Sequence, residues 1–164
     1  MKFSGNIADL EFGISQLGIC DGYNVEVSVI SGSDKLVVSE RDGSYEIKYG
    51  DKVEFFRGLA ILVDKIKKGE KGFCVTQEKK FDSCGVMLDV SRNAVLKVDT
   101  VKYIVRNLAK MGLNTVMLYT EDTFKMDKYP HFGYMRGAYT KEEIKEIVAY
   151  GEKFGIEFIP CIQT

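Results

Sequence analysis

Asp89-Val90-Ser91-Arg92 sets a carboxylate and a guanidinium three residues apart, directly after the apolar run Val86-Met87-Leu88. At that spacing the carboxylate can hold the guanidinium fork in one orientation. A fixed fork suits paired sugar hydroxyls as well as carboxylates. The same pairing can equally do no more than tie down a loop. Glu121-Asp122 follows a second apolar run, Thr115 to Tyr119. Adjacent carboxylates invite metal binding or acid–base work, and they serve just as well as a helix cap or a turn. In extended chain neighbouring side chains point opposite ways, so at most one would face a ligand. Gln163 ends a third apolar run that starts at Ile156. A charge just past a buried strand must find a partner, because burying it alone is costly.

Between the second and third runs lies a long connection, Thr123 to Tyr139. It carries Tyr129, Pro130, His131, Phe132, Gly133, Tyr134, Met135, Arg136 and Tyr139. A long aromatic loop on an active face is a sugar platform or lid, with Tyr134 and Arg136 at its rim, or else simply packs there. His131, the single histidine, reads as a loop residue making one hydrogen bond rather than as a base.

The elements that must position these groups fall into two rhythms. Val25, Val27 and Val29 alternate with polar residues, as do Tyr45, Ile47 and Tyr49, with turn clusters at Ser31–Asp34 and Arg41–Ser44. This predicts an antiparallel meander with one wet face. Asn6–Leu17 reads as a short helix with Ile7, Leu10 and Ile14 inward. Asp51 and Glu54 form a capping box, followed by a stripe of Val53, Phe56, Leu59, Ala60, Val63 and Ile66 that Gly69 ends. Gly72 to Gln77 reads as a further strand. Residues 1–82 therefore read as a two-layer α+β domain.

From residue 83 to 164 short apolar runs alternate with helical stripes. One helix is capped by Asp99 or Thr100, with Val101, Ile104, Val105, Leu108 and Met111 inward, and closes at Gly112. The next opens on Thr140-Lys141-Glu142-Glu143. Strand–helix–strand–helix–strand with strands apolar on both faces predicts parallel βαβ units. The turn after the first strand lacks the glycines of a phosphate-binding loop, which favours a (β/α)8 barrel over an open sheet. A barrel takes roughly 250 residues. The fold class is thus α+β followed by α/β: an incomplete barrel of three strands and two helices.

Composition narrows the function. Lys plus Arg number 23 against 24 for Asp plus Glu, which leaves no basic footprint for nucleic acid. No stretch approaches the roughly 20 apolar residues of a membrane helix, and the first residues show no signal-peptide pattern. The four cysteines are scattered without a CxxC pair, and with one histidine a zinc site is not expected. Reduced, buried thiols and a cytoplasmic address follow, with no cofactor and no metal.

Several motifs in order resemble glycoside hydrolase family 20, the β-N-acetylhexosaminidases. Cys84-Gly85-Val86-Met87-Leu88-Asp89-Val90-Ser91-Arg92-Asn93 is similar to the family's first barrel strand. Gly112-Leu113-Asn114 through Leu118-Tyr119-Thr120-Glu121-Asp122-Thr123 is similar to its second. Tyr134-Met135-Arg136-Gly137 and Ile159-Pro160-Cys161-Ile162-Gln163-Thr164 resemble the approach to the third. The first half is similar to the small α+β domain that precedes the barrel. Cys84 stands where many members have arginine, and Gln163 where other branches have aspartate.

The resemblance implies that Arg92 binds hydroxyls of a terminal amino sugar with Asp89 orienting it, and that Glu121 or Asp122 lines the pocket. It implies substrate-assisted catalysis, in which the 2-acetamido group is the nucleophile. The Asp-Glu pair that serves it is expected on a fourth strand, beyond Thr164, so no catalytic residue lies in this chain and the chain alone is expected to be inactive. The rival reading is a non-catalytic carbohydrate-binding or protein-interaction module, whose open strand edges allow self-association.

Overall fold

The computed structural model describes every residue except Asn93 and Thr164, so the last positions of two of the motifs above lie outside the described residues. Five strands form the first sheet: β1 (Lys2–Gly5), β2 (Glu26–Ser31), β3 (Leu36–Arg41), β4 (Ser44–Tyr49) and β5 (Cys74–Gln77). Their order is β1-β2-β4-β3-β5. β1, β2 and β4 run parallel, while β3 is antiparallel to both β4 and β5. The expected meander is therefore corrected to a mixed sheet with an extra edge strand, β1. Alternation says which side chains turn inward, and Val27, Val29, Val38 and Ile47 are indeed buried. It does not say which strand lies alongside. The β3–β4 hairpin turns on Asp42-Gly43 at φ 51° and 82°, the two positive angles of a type I′ turn.

Helix α1 (Glu11–Leu17) is shorter than expected, with Leu10 buried at its start and Ile7 and Ile14 partly covered. Helix α2 (Lys52–Lys67) opens on the reciprocal Asp51–Glu54 capping box. Its burial is wider than a single stripe, since Phe55, Gly58 and Leu62 are buried beside Val53, Phe56, Leu59 and Val63. The reason is a second neighbour. Gly58 packs on Leu36, Val38 and Ile47 of the first sheet, while Phe56 meets Phe154 at 5.0 Å between ring centroids. One core thus runs from Val27 and Val38 through α2 to Val105, Leu108, Val116 and Ile156.

The second sheet is β6 (Gly85–Asp89), β7 (Thr115–Thr120) and β8 (Glu157–Ile162), all parallel and in chain order. Helices α3 (Val98–Met111) and α4 (Lys141–Glu152) connect them. Lys97, not Asp99 or Thr100, holds the N-cap of α3, and Asp99 lies inside the first turn, where its charge suits the helix dipole. Met111 is exposed rather than inward. The α4 capping box of Thr140 and Glu143 forms as read. Val86, Leu88, Val116, Leu118 and Phe158 pack toward the core. The other face carries Met87 and Ile159, which are 53% and 37% exposed, so these strands are not buried on both faces. Three parallel strands cannot close on themselves, and among the described residues nothing covers that side.

Of the cysteines only Cys20 is buried, and burial pushes its thiol up to about 11. Cys74 and Cys84 are exposed and Cys161 half-buried, which corrects the expectation of buried thiols throughout.

Glu40 is a buried carboxylate that straps the first sheet together. It accepts the Gly43 N–H at 2.6 Å and the N–H of Gly72. These two bonds hold its pKa below the usual carboxylate value. A lowered folded-state pKa means the contribution is complete at neutral pH and disappears as pH falls through the folded pKa. Glu40→Gln should therefore melt lower than the parent at pH 7, and the two curves should converge in acid. Parallel curves down to pH 3 would contradict this.

Candidate functional site

The three parallel strands end side by side, and the polar residues collect at that edge. Asp89 is the last residue of β6, Glu121 and Asp122 follow β7, and Gln163 follows β8. Asp89 Oδ1 accepts from the Ser91 amide at 2.8 Å and from Ser91 Oγ at 2.5 Å. The Ser91 hydroxyl, its amide and the Arg92 charge hold Asp89 below the usual carboxylate range. Asp89 thus closes its own turn.

Arg92 does not take Asp89 as its partner. Its Nε donates to Glu121 Oε1 at 3.3 Å, across from the next strand. Asp122 turns to Arg136 instead, with Nη1 2.7 Å from Oδ1 but outside hydrogen-bonding geometry, so charge rather than a directed bond holds the pair. The adjacent carboxylates therefore face different guanidinium groups, although they sit in the bend after β7 rather than in extended chain. Tyr119 donates its hydroxyl to Gln163 Oε1, and the Gln163 amide bonds Thr120 O at 3.1 Å. Among the described residues no cluster of three metal-ligating side chains occurs.

The long loop is closed at its base. Tyr139 N donates to Thr123 O at 3.0 Å and Lys125 N to Tyr139 O at 2.8 Å. The Tyr139 hydroxyl reaches Leu96 O at 2.6 Å, tying this loop to the one after β6. Burial pushes that hydroxyl up to about 12. Tyr134 is exposed at the loop surface, edge-on to His131. Between the two loops lies a cleft of about 300 Å³ lined by Ser91, Arg92, Val95, Thr123 and Arg136 among others. Ser91 and Thr123 were not singled out from the sequence, and Tyr139 only as one of the aromatic residues of the long loop. Only Ser91 had a signal there, since Asp-x-Ser is the spacing of a side-chain turn.

Gly133 sets how closely the loop approaches the edge. It sits at φ 66°, and an added Cβ would lie 2.0 Å from the Asp122 carbonyl oxygen. Left-handed backbone costs other residues roughly 1–2 kcal/mol before any clash. Gly133→Ala should open the loop locally, accelerating tryptic cleavage at Lys128 and Arg136 about tenfold with little change in global stability. Unchanged cleavage rates would refute the tether.

Parallel β/α units joined in chain order define the α/β fold class, in which the loops at the carboxyl ends of the strands share one edge. The sequence model for glycosyl hydrolase family 20, catalytic domain, matches residues 81–164, and the chain belongs to this family. In fold it is similar to the family 20 exo-β-N-acetylglucosaminidase from Vibrio harveyi in complex with N-acetylglucosamine. That likeness has a TM-score of 0.78 and 19% identity, and covers 97% of this chain and 32% of that one. It is also similar to the Flavobacterium johnsoniae chitobiase, with a TM-score of 0.76 and 21% identity over 97% and 30% of the two chains. A mutant Streptomyces plicatus β-hexosaminidase in complex with its GlcNAc product gives 0.71 and 19% over 93% and 38%. At such identities the likeness is one of fold, and the chain spans about a third of the length of these structures. No curated protein matches it in sequence.

Proposed function

We propose that this chain is the front part of an exo-β-N-acetylhexosaminidase that removes terminal β-linked GlcNAc or GalNAc. The observation that carries the reading is the Arg92–Glu121 pair at the carboxyl edge of β6 and β7, in a chain of family 20. A guanidinium and a carboxylate side by side offer a sugar hydroxyl both a donor and an acceptor. Arg92 and Glu121 are the contacts assigned to the terminal sugar. Asp89 fixes the turn that presents Arg92, and Asp122 with Arg136 anchors the loop above.

The chemistry assigned to the whole enzyme is substrate-assisted retention. The acetamido oxygen attacks the anomeric carbon while the leaving oxygen takes a proton from a glutamic acid. Water then opens the cyclic intermediate. The Asp-Glu pair for those steps belongs to a fourth strand that this chain does not contain, so the chain alone is inactive on this reading. The division at residue 82 into an α+β domain and a barrel section, and a cytoplasmic address, belong to the same proposal. Among the described residues no helix is long and apolar enough to cross a membrane.

A chromogenic N-acetylglucosaminide or N-acetylgalactosaminide should be hydrolysed by the full-length protein and left intact by these 164 residues. No turnover by the former at any pH, or turnover by the latter, would overturn the corresponding half. The second reading, a non-catalytic interaction module, is favoured only by the open sheet face bearing Met87 and Ile159, through which the chain would self-associate. Light scattering at the monomer mass would sink that alternative.

A further inference from the structure

Asp89 Oδ1 accepts twice from one residue, from the Ser91 amide at 2.8 Å and from the Ser91 hydroxyl at 2.5 Å. A side-chain turn of this kind closes on the amide alone. The hydroxyl is thus a second bond to the same oxygen. Ser91 is only 1% exposed, so water does not stand in for that bond when it is lost.

The neighbouring guanidinium shows what the second bond does. Arg92 is near enough for its charge to lower the Asp89 pKa, yet it hydrogen-bonds elsewhere, through Nε to Glu121 Oε1 at 3.3 Å. Among the described residues no hydrogen bond occupies its Nη1 and Nη2 edge, and the side chain is 71% exposed. Asp89 and Arg92 stand three residues apart in one turn, so an ion pair between them is the local alternative to the reach across to Glu121. Capture by Asp89 would take up the paired N–H groups of that edge, the ones able to grip two hydroxyls at once. We infer that Ser91 is a positioning residue for Arg92: its hydroxyl satisfies Asp89 inside the turn, which leaves the guanidinium on Glu121 with its Nη edge open to the ligand. The inference rests on the proposed contact between Arg92 and the terminal sugar, and adds to it the residue that keeps the fork available.

Kinetics of the full-length protein on an aryl N-acetylglucosaminide, with crystal structures of the same variants, test it. Ser91→Ala should raise KM about tenfold, the low end for a hydrogen bond to a charged group, and leave kcat nearly unchanged because binding is what weakens. In an Arg92→Met background the same change should cost about twofold at most, since the two residues act on one contact. Ser91→Thr keeps the hydroxyl and should hold KM within about twofold of the parent. In the alanine variant the fork should lie on Asp89 instead of Glu121. Equal losses with and without Arg92 would overturn the inference, because Ser91 would then serve the fold alone. A threonine variant as weak as the alanine one, or a fork still seated on Glu121 in the latter, would overturn it too. No turnover by the parent, with the fork moving to Asp89, removes the glycosidase and keeps the positioning. Full turnover with an unmoved fork does the reverse.

Discussion

Phe56→Ala should lower the unfolding free energy by about 3–5 kcal/mol, the range for deleting a fully buried aromatic ring. Phe56 has no exposed surface, and its ring centroid lies 5.3 Å from that of Phe55 and 5.0 Å from that of Phe154. It also rests on Gly13, where an added Cβ would come within 2.2 Å of its ring. The ring therefore joins α1, α2 and the turn after α4, and no small rearrangement of one element can refill its place. Urea titration followed by fluorescence and by circular dichroism should show one transition for both sheets, shifted to lower urea. Two separate transitions in the parent would mean that the sheets do not share a cooperative core.

Arg92→Met in the full-length protein should reduce kcat/KM for an aryl N-acetylglucosaminide roughly 100-fold, about 3 kcal/mol, on the proposed function. Methionine keeps much of the stem but removes the donors for sugar hydroxyls and leaves Glu121 without its 3.3 Å partner. Both losses act on the same ligand. Arg92→Lys should recover part of the activity as a point charge without the fork. Arg92 is 71% exposed, so the methionine variant should melt close to the parent, which separates a binding role from a structural one. Activity within a factor of two of the parent would remove Arg92 from the sugar site.

Local signals in the sequence carried much of this architecture. The Asp51–Glu54 and Thr140–Glu143 boxes bind residues three apart, so their helices could be read directly and formed with those caps. The apolar runs of β6, β7 and β8 likewise marked parallel strands, which brought Asp89, Glu121 and Gln163 to one edge. Partner choice was not local and could not be read. Arg92 reaches across to Glu121 instead of back to Asp89, because Ser91 already occupies Asp89 and the next strand places Glu121 beside the guanidinium. The order of the first sheet was hidden for the same reason: Val27, Val38 and Ile47 share a face whichever strand is neighbour to which. Phe55 and Gly58 lie outside the stripe read from the sequence, and they face the first sheet, Phe55 against Phe3 and Tyr49 and Gly58 against Leu36, Val38 and Ile47, while Phe56 faces Phe154 on the other side.

That two-sided helix has a consequence for synthesis. Residues of α2 leave the ribosome long before Phe154, and at roughly 5–20 residues per second the interval is on the order of 5–20 s. During it the nascent chain holds a helix with one side dried by the sheet and the other, Phe56 included, still wet. A translating ribosome therefore carries a sticky half-product for seconds, and any chaperone that shelters apolar nascent surface has its clearest target in that stretch.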